Sequence, residues 1–534
     1  MDYDEARRVS QSLALEPFIQ AFIDDYQLPE VPGVPRQTVI FFPGGAGCGL
    51  KRSLLPHDPA SFQDPATFES VWLDCGTLLG KVKLLGLVRT PTGYDDAQRH
   101  IVVAGETVRY EGKNPYAGFI AWCGARNIDL LVYPYDWRRS FDEVARFFVD
   151  DFIPVFRSKV GQACGGANPL ARFTLIGHSQ GGMLVNWLLR HHHDDLHCPG
   201  QTWERAITVA TPFYGYANQM PRWYTGESML NVCGIDDVVR IISSTSSFYT
   251  FNFLDAQTYA ANAAGLSSDG PYSLPTYPCI DVGAKTAADD YVATRLGNAN
   301  ESYRRYPESN ETGFDEAELA SGRDIQRTLA APIADAALSS KFFNVRGVRT
   351  SGPARTLLRD TPGTIQWGWI EGAYNAGTPQ VYDDTSMPGD GVMPAWTARL
   401  LRTVAAEATD NVATVDIGDD EHAFIMDSAP IQDALADLLH VPRAIGIAPA
   451  FVEKPAVATK EQALDFIRDM HRHLARQAVD PVKATREQIR AYLAPYGKPV
   501  LEAIARRVFI EMFRAELPEA PPGAGRRSPR GRGP

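Results

Sequence analysis

The sequence has little of several things, and each shortage removes a class of protein. Seven cysteines in 534 residues, none at CxxC spacing, exclude a disulfide framework and a zinc ribbon. One pair among Cys48, Cys75, Cys123, Cys164, Cys198, Cys233 and Cys279 could still close a loop. Basic residues are outnumbered, 52 Lys and Arg against 64 Asp and Glu, for a net charge of −12. That balance lacks the basic face a nucleic acid needs, so no nucleic-acid partner is expected. No run of about 18 uncharged apolar residues occurs, and no transmembrane helix is expected. The start, "MDYDEARRVSQSLALEPF", lacks the basic, apolar and small-residue regions of a signal peptide, which makes a cytoplasmic location the expectation. No internal repeat is visible. The stretch "RHHHDDLHC" offers metal-type ligands, but successive side chains diverge around a helix; a solvated helix end is expected, and no metal.

What remains is an ordinary globular composition, 44% hydrophobic and 22% charged, long enough for two to four structural units. After a short N-terminal helix, apolar runs alternate with helical patterns. "QTVIFF" (Gln37–Phe42), "IDLLVYP" (Ile128–Pro134), "RFTLIG" and "RAITVA" read as strands, and "KFFNVRGV" (Lys341–Val348) and "NVATVDIG" (Asn411–Gly418) resume the pattern. Strands separated by helices at such spacings mean βαβ units and a mostly parallel sheet with helices on both faces. The expected organisation is an N-terminal helical segment (1–36), a core in two parts (37–216 and 339–442), and a cap inserted between them (217–338). A lid-like insertion is expected at about 50–100, a helical extension over 443–517, and a disordered basic tail over 518–534.

"FTLIGHSQGGM" puts Ser179 within G-x-S-x-G, after a strand and before a helix. That context predicts a nucleophile on a sharp turn, with an ordinary turn serine as the alternative. A serine hydroxyl needs a base to take its proton. In this architecture the chain order is Ser, then an acid, then His, each at the C-terminal edge of the sheet. Of eleven histidines, His57, His100 and His178 precede the serine. His191, His192, His193 and His197 lie at the far end of its helix, His440 ends a helix, and His471 and His473 belong to the extension. His422, in "GDDEHAFIM" between a strand and a helix, is left as the base. Asp390, between two glycines in "SMPGDGVMP", is the expected acid; Asp383 and Asp384 compete, and Asp419 or Asp420 are alternatives or plain loop charges.

An oxyanion site needs two backbone N–H groups. One belongs to Gln180, after the nucleophile; "FFPGGAGCG" supplies the other, with Gly45 as donor. A phosphate loop is excluded at this position because Leu50 follows Gly49 where lysine is required. In "DWRR", Arg138 could meet a substrate head group, or Asp136, Trp137 and Arg138 could lock a loop beside the site. "VWLDCGTLLGKVKLLGLV" could be a lid that presents Trp72 and its leucines to a lipid surface, with Lys81 and Lys83 on phosphates; a packed hairpin or helix is the other reading.

"VYPYDWRRS", "LIGHSQGGM", "VATPFYG", "PGDGVMP" and "GDDEHAFIM" resemble, in that order, the motifs of lecithin:cholesterol acyltransferases and lysosomal phospholipases. The resemblance spans roughly residues 37 to 440, dense at motifs and thin between them. It implies an α/β-hydrolase fold, a lipid-ester substrate, a triad of Ser179, Asp390 and His422, and oxyanion donors at Gly45 and Gln180. Family lids are often closed by a disulfide near a tryptophan, for which Cys48 and Cys75 are the counterparts the resemblance offers. Members are typically secreted or luminal, and the chain beyond His440 has no place in the family pattern.

Together these residues predict a serine-dependent acyl hydrolase (lipase, phospholipase or esterase) with no metal or organic cofactor. O-acyl transfer to an alcohol and a non-catalytic lipid-binding role on the same fold are the alternatives. The expected partner is an ester or lipid substrate, with peripheral contact with a lipid surface; the oligomeric state is not encoded in any motif.

Overall fold

The computed structural model describes residues 2–27, 36–55, 64–72, 87–90, 93–96, 100–107, 114–196, 200–215, 245–251, 316–349, 359–361, 364–366, most of 389–400, 412–443 except 419 and 421, 460–477, and six positions between 492 and 504. In chain order its strands are β1 (Gln37–Phe42), β2 (Cys48–Arg52), β3 (Glu69–Trp72), β4 (Leu87–Thr90), β5 (Gly93–Asp96), β6 (Val102–Thr107), β7 (Ile128–Val132), β8 (Phe173–His178), β9 (Trp203–Val209), β10 (Phe342–Arg349), β11 (Arg359–Thr361), β12 (Thr364–Gln366) and β13 (Val412–Gly418).

Six of these make one sheet in the order β13-β10-β9-β8-β1-β7. Every pairing in it is parallel. All six contain the apolar runs expected to be strands. A parallel sheet covered on both sides needs apolar residues at odd and even positions alike. In β1, Ile40 and Phe42 join one core while Val39 and Phe41 join the other. Helices α1 (Tyr3–Tyr26) and α2 (Ala117–Gly124) lie on opposite faces, contributing Leu15 and Phe22 to the first core and Phe119 and Trp122 to the second. On the first face also run α3 (Phe141–Arg146), a π-helical turn (Phe147–Phe152), α4 (Ile153–Ala163) and α5 (Gln180–His191). After these come α6 (Glu316–Ala330), α7 (Ala429–Leu439), which closes the second face, and α8 (Lys460–Arg476). This strand order, with α5 leaving the central β8, is that of the α/β-hydrolase fold.

The N-terminal helix is longer than expected, at 24 residues. It runs through Pro17 and is held by long-range bonds: Tyr3 donates to the His100 carbonyl at 2.7 Å and Gln11 to that of Ala104 at 2.8 Å. The stretch expected as a lid at about 50–100 proves, where described, to hold antiparallel structure. There β2 pairs with both β3 and β6, and β4 with β5. The reason is alternation: Cys48 and Leu50 on β2, Trp72 on β3 and Val102 and Ala104 on β6 bury one face in the first core. Of the cap expected at 217–338 only 245–251 and 316–338 are described, and the tail expected at 518–534 lies wholly outside the described residues. No helix among the described residues is long and apolar enough to cross a membrane.

Candidate active site

β8 ends at His178, and α5 begins at Gln180, leaving one residue to reverse the chain. Ser179 does so at φ 52° and ψ −120°, a region unfavourable to side chains and worth about 1–3 kcal/mol of strain. The turn is over-determined by close backbone approach. A Cβ on Gly181 would fall 2.1 Å from the Phe42 carbonyl oxygen, and one on Gly177 2.3 Å from that of Gly181. Glycine at both flanks is therefore a packing requirement. The Ser179 amide donates to Val209 O at 2.8 Å, tying the elbow to the end of β9. Its hydroxyl sits at the N-terminus of a twelve-residue helix, where the helix dipole favours negative charge.

The loop from Pro43 to Cys48 lies against this elbow. A Cβ on Gly45 would meet Gln180 Oε1 at 2.4 Å, and one on Gly44 would meet Ser179 Cβ at 3.3 Å. Three side chains hold the loop. Tyr116 Oη accepts from the Gly44 amide at 2.9 Å, Tyr135 donates to Pro43 O at 2.9 Å, and Trp72 Nε1 donates to Ala46 O at 2.7 Å. Of the sequence-derived oxyanion positions, Gln180 follows the serine directly and Gly45 lies against the Gln180 side chain.

The acid and the histidine come from beyond β9, beside the end of β10 and after β13. Gly389 lies against the end of β10, its carbonyl accepting from the Arg349 amide at 2.8 Å. Asp390 follows, with Oδ1 accepting from the amides of Val392 (3.0 Å) and Met393 (2.6 Å). Its other oxygen, Oδ2, lies 2.5 Å from His422 Nδ1, and the His422 amide donates to the Asp390 carbonyl at 3.2 Å. Both side chains are buried. Carboxylate contact at Nδ1 assigns the proton there and leaves Nε2 as the acceptor. Among the described residues no hydrogen bond joins Ser179 Oγ to His422; such bonds are often long before substrate binds. Asp383, Asp384 and Asp419 lie outside the described residues.

The structure decides between the alternatives for "DWRR". Arg138 is fully buried and clamps Asp136 through Nε at 2.9 Å and Nη2 at 2.7 Å, so it is no solvent-facing head-group receptor. Burial pushes the Asp136 carboxyl up, but Arg138 and Arg139 pull it further the other way, to about 2. The locked loop turns the Trp137 carbonyl toward Gln180 Nε2, which donates at 2.8 Å. Of the two readings for Trp72, the packed one describes its surroundings: 1% exposed, it packs edge-on against Trp137 with centroids 5.4 Å apart. Trp137 is buried between it and Phe248, whose ring stacks at 5.8 Å. Cys48 is a free thiol, which burial pushes up to about 12; Cys75 lies outside the described residues.

Two residues escaped the sequence reading. His178 was set aside for preceding the serine, yet its ring faces that of His422 with centroids 4.9 Å apart. Tyr116, which opens α2, reaches His178 Nδ1 at 3.1 Å. No sequence signal marked either, since the Tyr116 pairing spans 62 residues. The histidines at the end of α5 diverge: His191 packs on Trp187, while His192 contacts Asp195. No group of three His, Cys, Asp or Glu able to hold a metal occurs among the described residues.

No family model matches the chain, and no curated protein does. Solved structures similar to it include the Tle4–Tli4 complex, at 14% identity and TM-score 0.45, covering 76% of this chain and 98% of that one. EstA from Clostridium botulinum has 12% identity and TM-score 0.30, over 81% and 99% of the two chains. The Vlm2 thioesterase domain has 14% identity and TM-score 0.19, over 77% and 95%. At these values the likenesses say nothing of activity.

Proposed function

We propose that the chain is a serine-dependent acyl hydrolase acting on lipid or other carboxylic esters. Ser179 Oγ attacks the ester carbonyl while its proton passes to His422 Nε2. The resulting charge on the carbonyl oxygen is taken by the amides of Gly45 and Gln180. The C–O bond then breaks, the departing alcohol receives the proton from His422, and an acyl-serine remains. Water, activated by the same imidazole, releases the carboxylic acid and restores the serine. Asp390 holds the imidazole in the required tautomer throughout. One observation carries this reading: the 2.5 Å Asp390–His422 bond stands on the sheet edge where Ser179 is held on a helix N-terminus.

The finer assignment, to enzymes like lecithin:cholesterol acyltransferase and lysosomal phospholipase, rests on the order of the five motifs. It favours a lipid acyl donor and makes an alcohol acceptor the second reading. Residues 217–338 would then form the cap over the acyl chain. The test is labelling by a fluorophosphonate probe, which wild type should show and Ser179→Ala should lose. A screen of short- and long-chain esters, with and without excess alcohol, then reads substrate class and acceptor. Folded wild-type protein that never labels would overturn the enzyme reading in favour of a lipid-binding protein.

A further inference from the structure

Gln180 brings more than a backbone amide to the elbow. Its side chain is fully buried at the start of α5, and Nε2 donates to the Trp137 carbonyl at 2.8 Å. A carbonyl can only accept, which fixes the orientation of the side-chain amide and turns Oε1 the other way. Oε1 is buried without a hydrogen-bond partner and lies against Gly45, where a Cβ would fall 2.4 Å from it. A methionine would fill this space without leaving an acceptor unpaired, so what the glutamine adds is the bond to Trp137. That carbonyl has a second donor. Ser247 Oγ, from a residue 110 positions away and fully buried, reaches it at 2.6 Å. The Ser247 amide also donates to the Arg138 carbonyl at 3.4 Å, and Phe248 stacks on Trp137. The short helix Ser246–Tyr249 is held in turn by α6: Ser246 Oγ donates to Glu318 at 3.1 Å, and a Cβ on Gly322 would fall 2.6 Å from Tyr249 Cβ. The end of α6 returns to α5, where Asn186 Nδ2 donates to the Leu329 carbonyl at 2.8 Å.

We propose that the Gln180 side chain and Ser247 are positioning residues of the oxyanion site: bonded to one Trp137 carbonyl, they hold the start of α5 against the glycine loop and tie that spacing to the seating of segment 245–251. The inference rests on the acyl-hydrolase reading above, in which the amides of Gly45 and Gln180 take the charge of the carbonyl oxygen. Such donors act only when fixed in advance at the distance the oxyanion will occupy. The Gln180 side chain is the one spacer between Gly45 and Trp137 that the described residues show, and the clamp of Asp136 by Arg138 keeps the Trp137 carbonyl from drifting. Ser247 completes the carbonyl's second lone pair from a distant part of the chain. Movement of segment 245–251 off the loop would therefore withdraw a bond from the same atom that anchors Gln180.

The variants are Gln180→Met, which keeps the backbone amide and the side-chain volume, Ser247→Ala, and the two combined. The probes are the 4-nitrophenyl ester of the acyl chain cleaved fastest in the ester screen and its thiono analogue, in which sulfur replaces the carbonyl oxygen. Sulfur is larger and a weaker acceptor, so a tight oxyanion site discriminates against it and a loosened one discriminates less. For the oxygen ester, kcat should fall about a hundred-fold in Gln180→Met and about ten-fold in Ser247→Ala, with KM nearly unchanged. The oxygen-to-sulfur rate ratio should fall in both. The double variant should be about as slow as Gln180→Met alone, because both side chains act on one carbonyl. A merely structural role would slow the two esters equally and leave the ratio at its wild-type value. Should Gln180→Met fold poorly, Ser247→Ala alone must still lower the ratio, since Gln180 remains on the carbonyl and only the tie to segment 245–251 is lost. An unchanged ratio in the folded variants, or losses that simply multiply in the double variant, overturns the proposal. Failure of the acyl-hydrolase reading shows separately, as absent fluorophosphonate labelling of wild type.

Discussion

The serine's half of the site and the histidine's half are built by different means. Ser179 is fixed by what adjoins it in sequence: a strand, a helix, and glycines whose missing side chains let Phe42 and Gly181 approach. The Asp390–His422 pair is fixed by a contact between residues 32 apart, held through the amides of Val392 and Met393 and a backbone bond between the two loops. The first half is local geometry; the second is tertiary assembly. A local device survives mutation elsewhere, whereas an assembled pair depends on each bond that orients it.

That contrast is broken most directly at the carboxylate. Asp390→Asn keeps the size and the two amide contacts to one oxygen but can present an N–H to His422 Nδ1. The imidazole then takes the wrong tautomer, and kcat should fall by about a thousand- to ten-thousand-fold. Fluorophosphonate labelling rate measures it, with thermal unfolding nearly unchanged as the control. A loss under tenfold would mean another acid, such as Asp383 or Asp384, orients the base.

The second test moves to the loop that backs the serine's half through Gln180. Asp136 accepts from Arg138 twice and lies 3.4 Å from Arg139, which with Arg7 shares Glu143. Asp136→Asn removes the buried charge that both guanidiniums face, at a cost of about 3–5 kcal/mol in unfolding free energy. Because the carboxyl sits at about 2, below its ordinary 3.8, its stabilising contribution is present above pH 3.8 and lost as pH falls toward 2. The variant's deficit should therefore be constant from neutral pH to about 4 and shrink only in stronger acid. Chemical denaturation at several pH values reads both features.

How much of this was legible in the sequence follows the same division. The six core strands, Ser179 and its glycines were readable because period and motif are local properties. His422 was reached by eliminating the other histidines, and Asp390 by its turn setting; their contact needed the fold. The antiparallel pairing of β2 with β3 and β6 was not legible because its register joins Cys48 to Thr107, a contact between segments far apart in the chain. Arg138 illustrates a further limit. An arginine beside an aspartate reads the same whether solvated or buried, and only tertiary packing around it decides.

The smallest expected effect separates the halves again, through His178, which belongs to the serine's strand but faces the histidine's turn. Burial, then the His422 charge, depress its pKa well below 6.5, so the folded state holds it neutral while the unfolded chain binds a proton below that pH. The unfolded state thus carries more protons in the window from 6.5 down to the depressed value, and stability must fall with pH there. The slope from this one group is at most about 1.4 kcal/mol per pH unit. His178→Phe, which cannot take up the proton in either state, should lose less stability than wild type between pH 6.5 and 5. Urea midpoints compared across that window check the sign. An equal slope in both proteins would mean His178 is protonated alike in both states, and the buried neutral ring beside His422 would have to be given up.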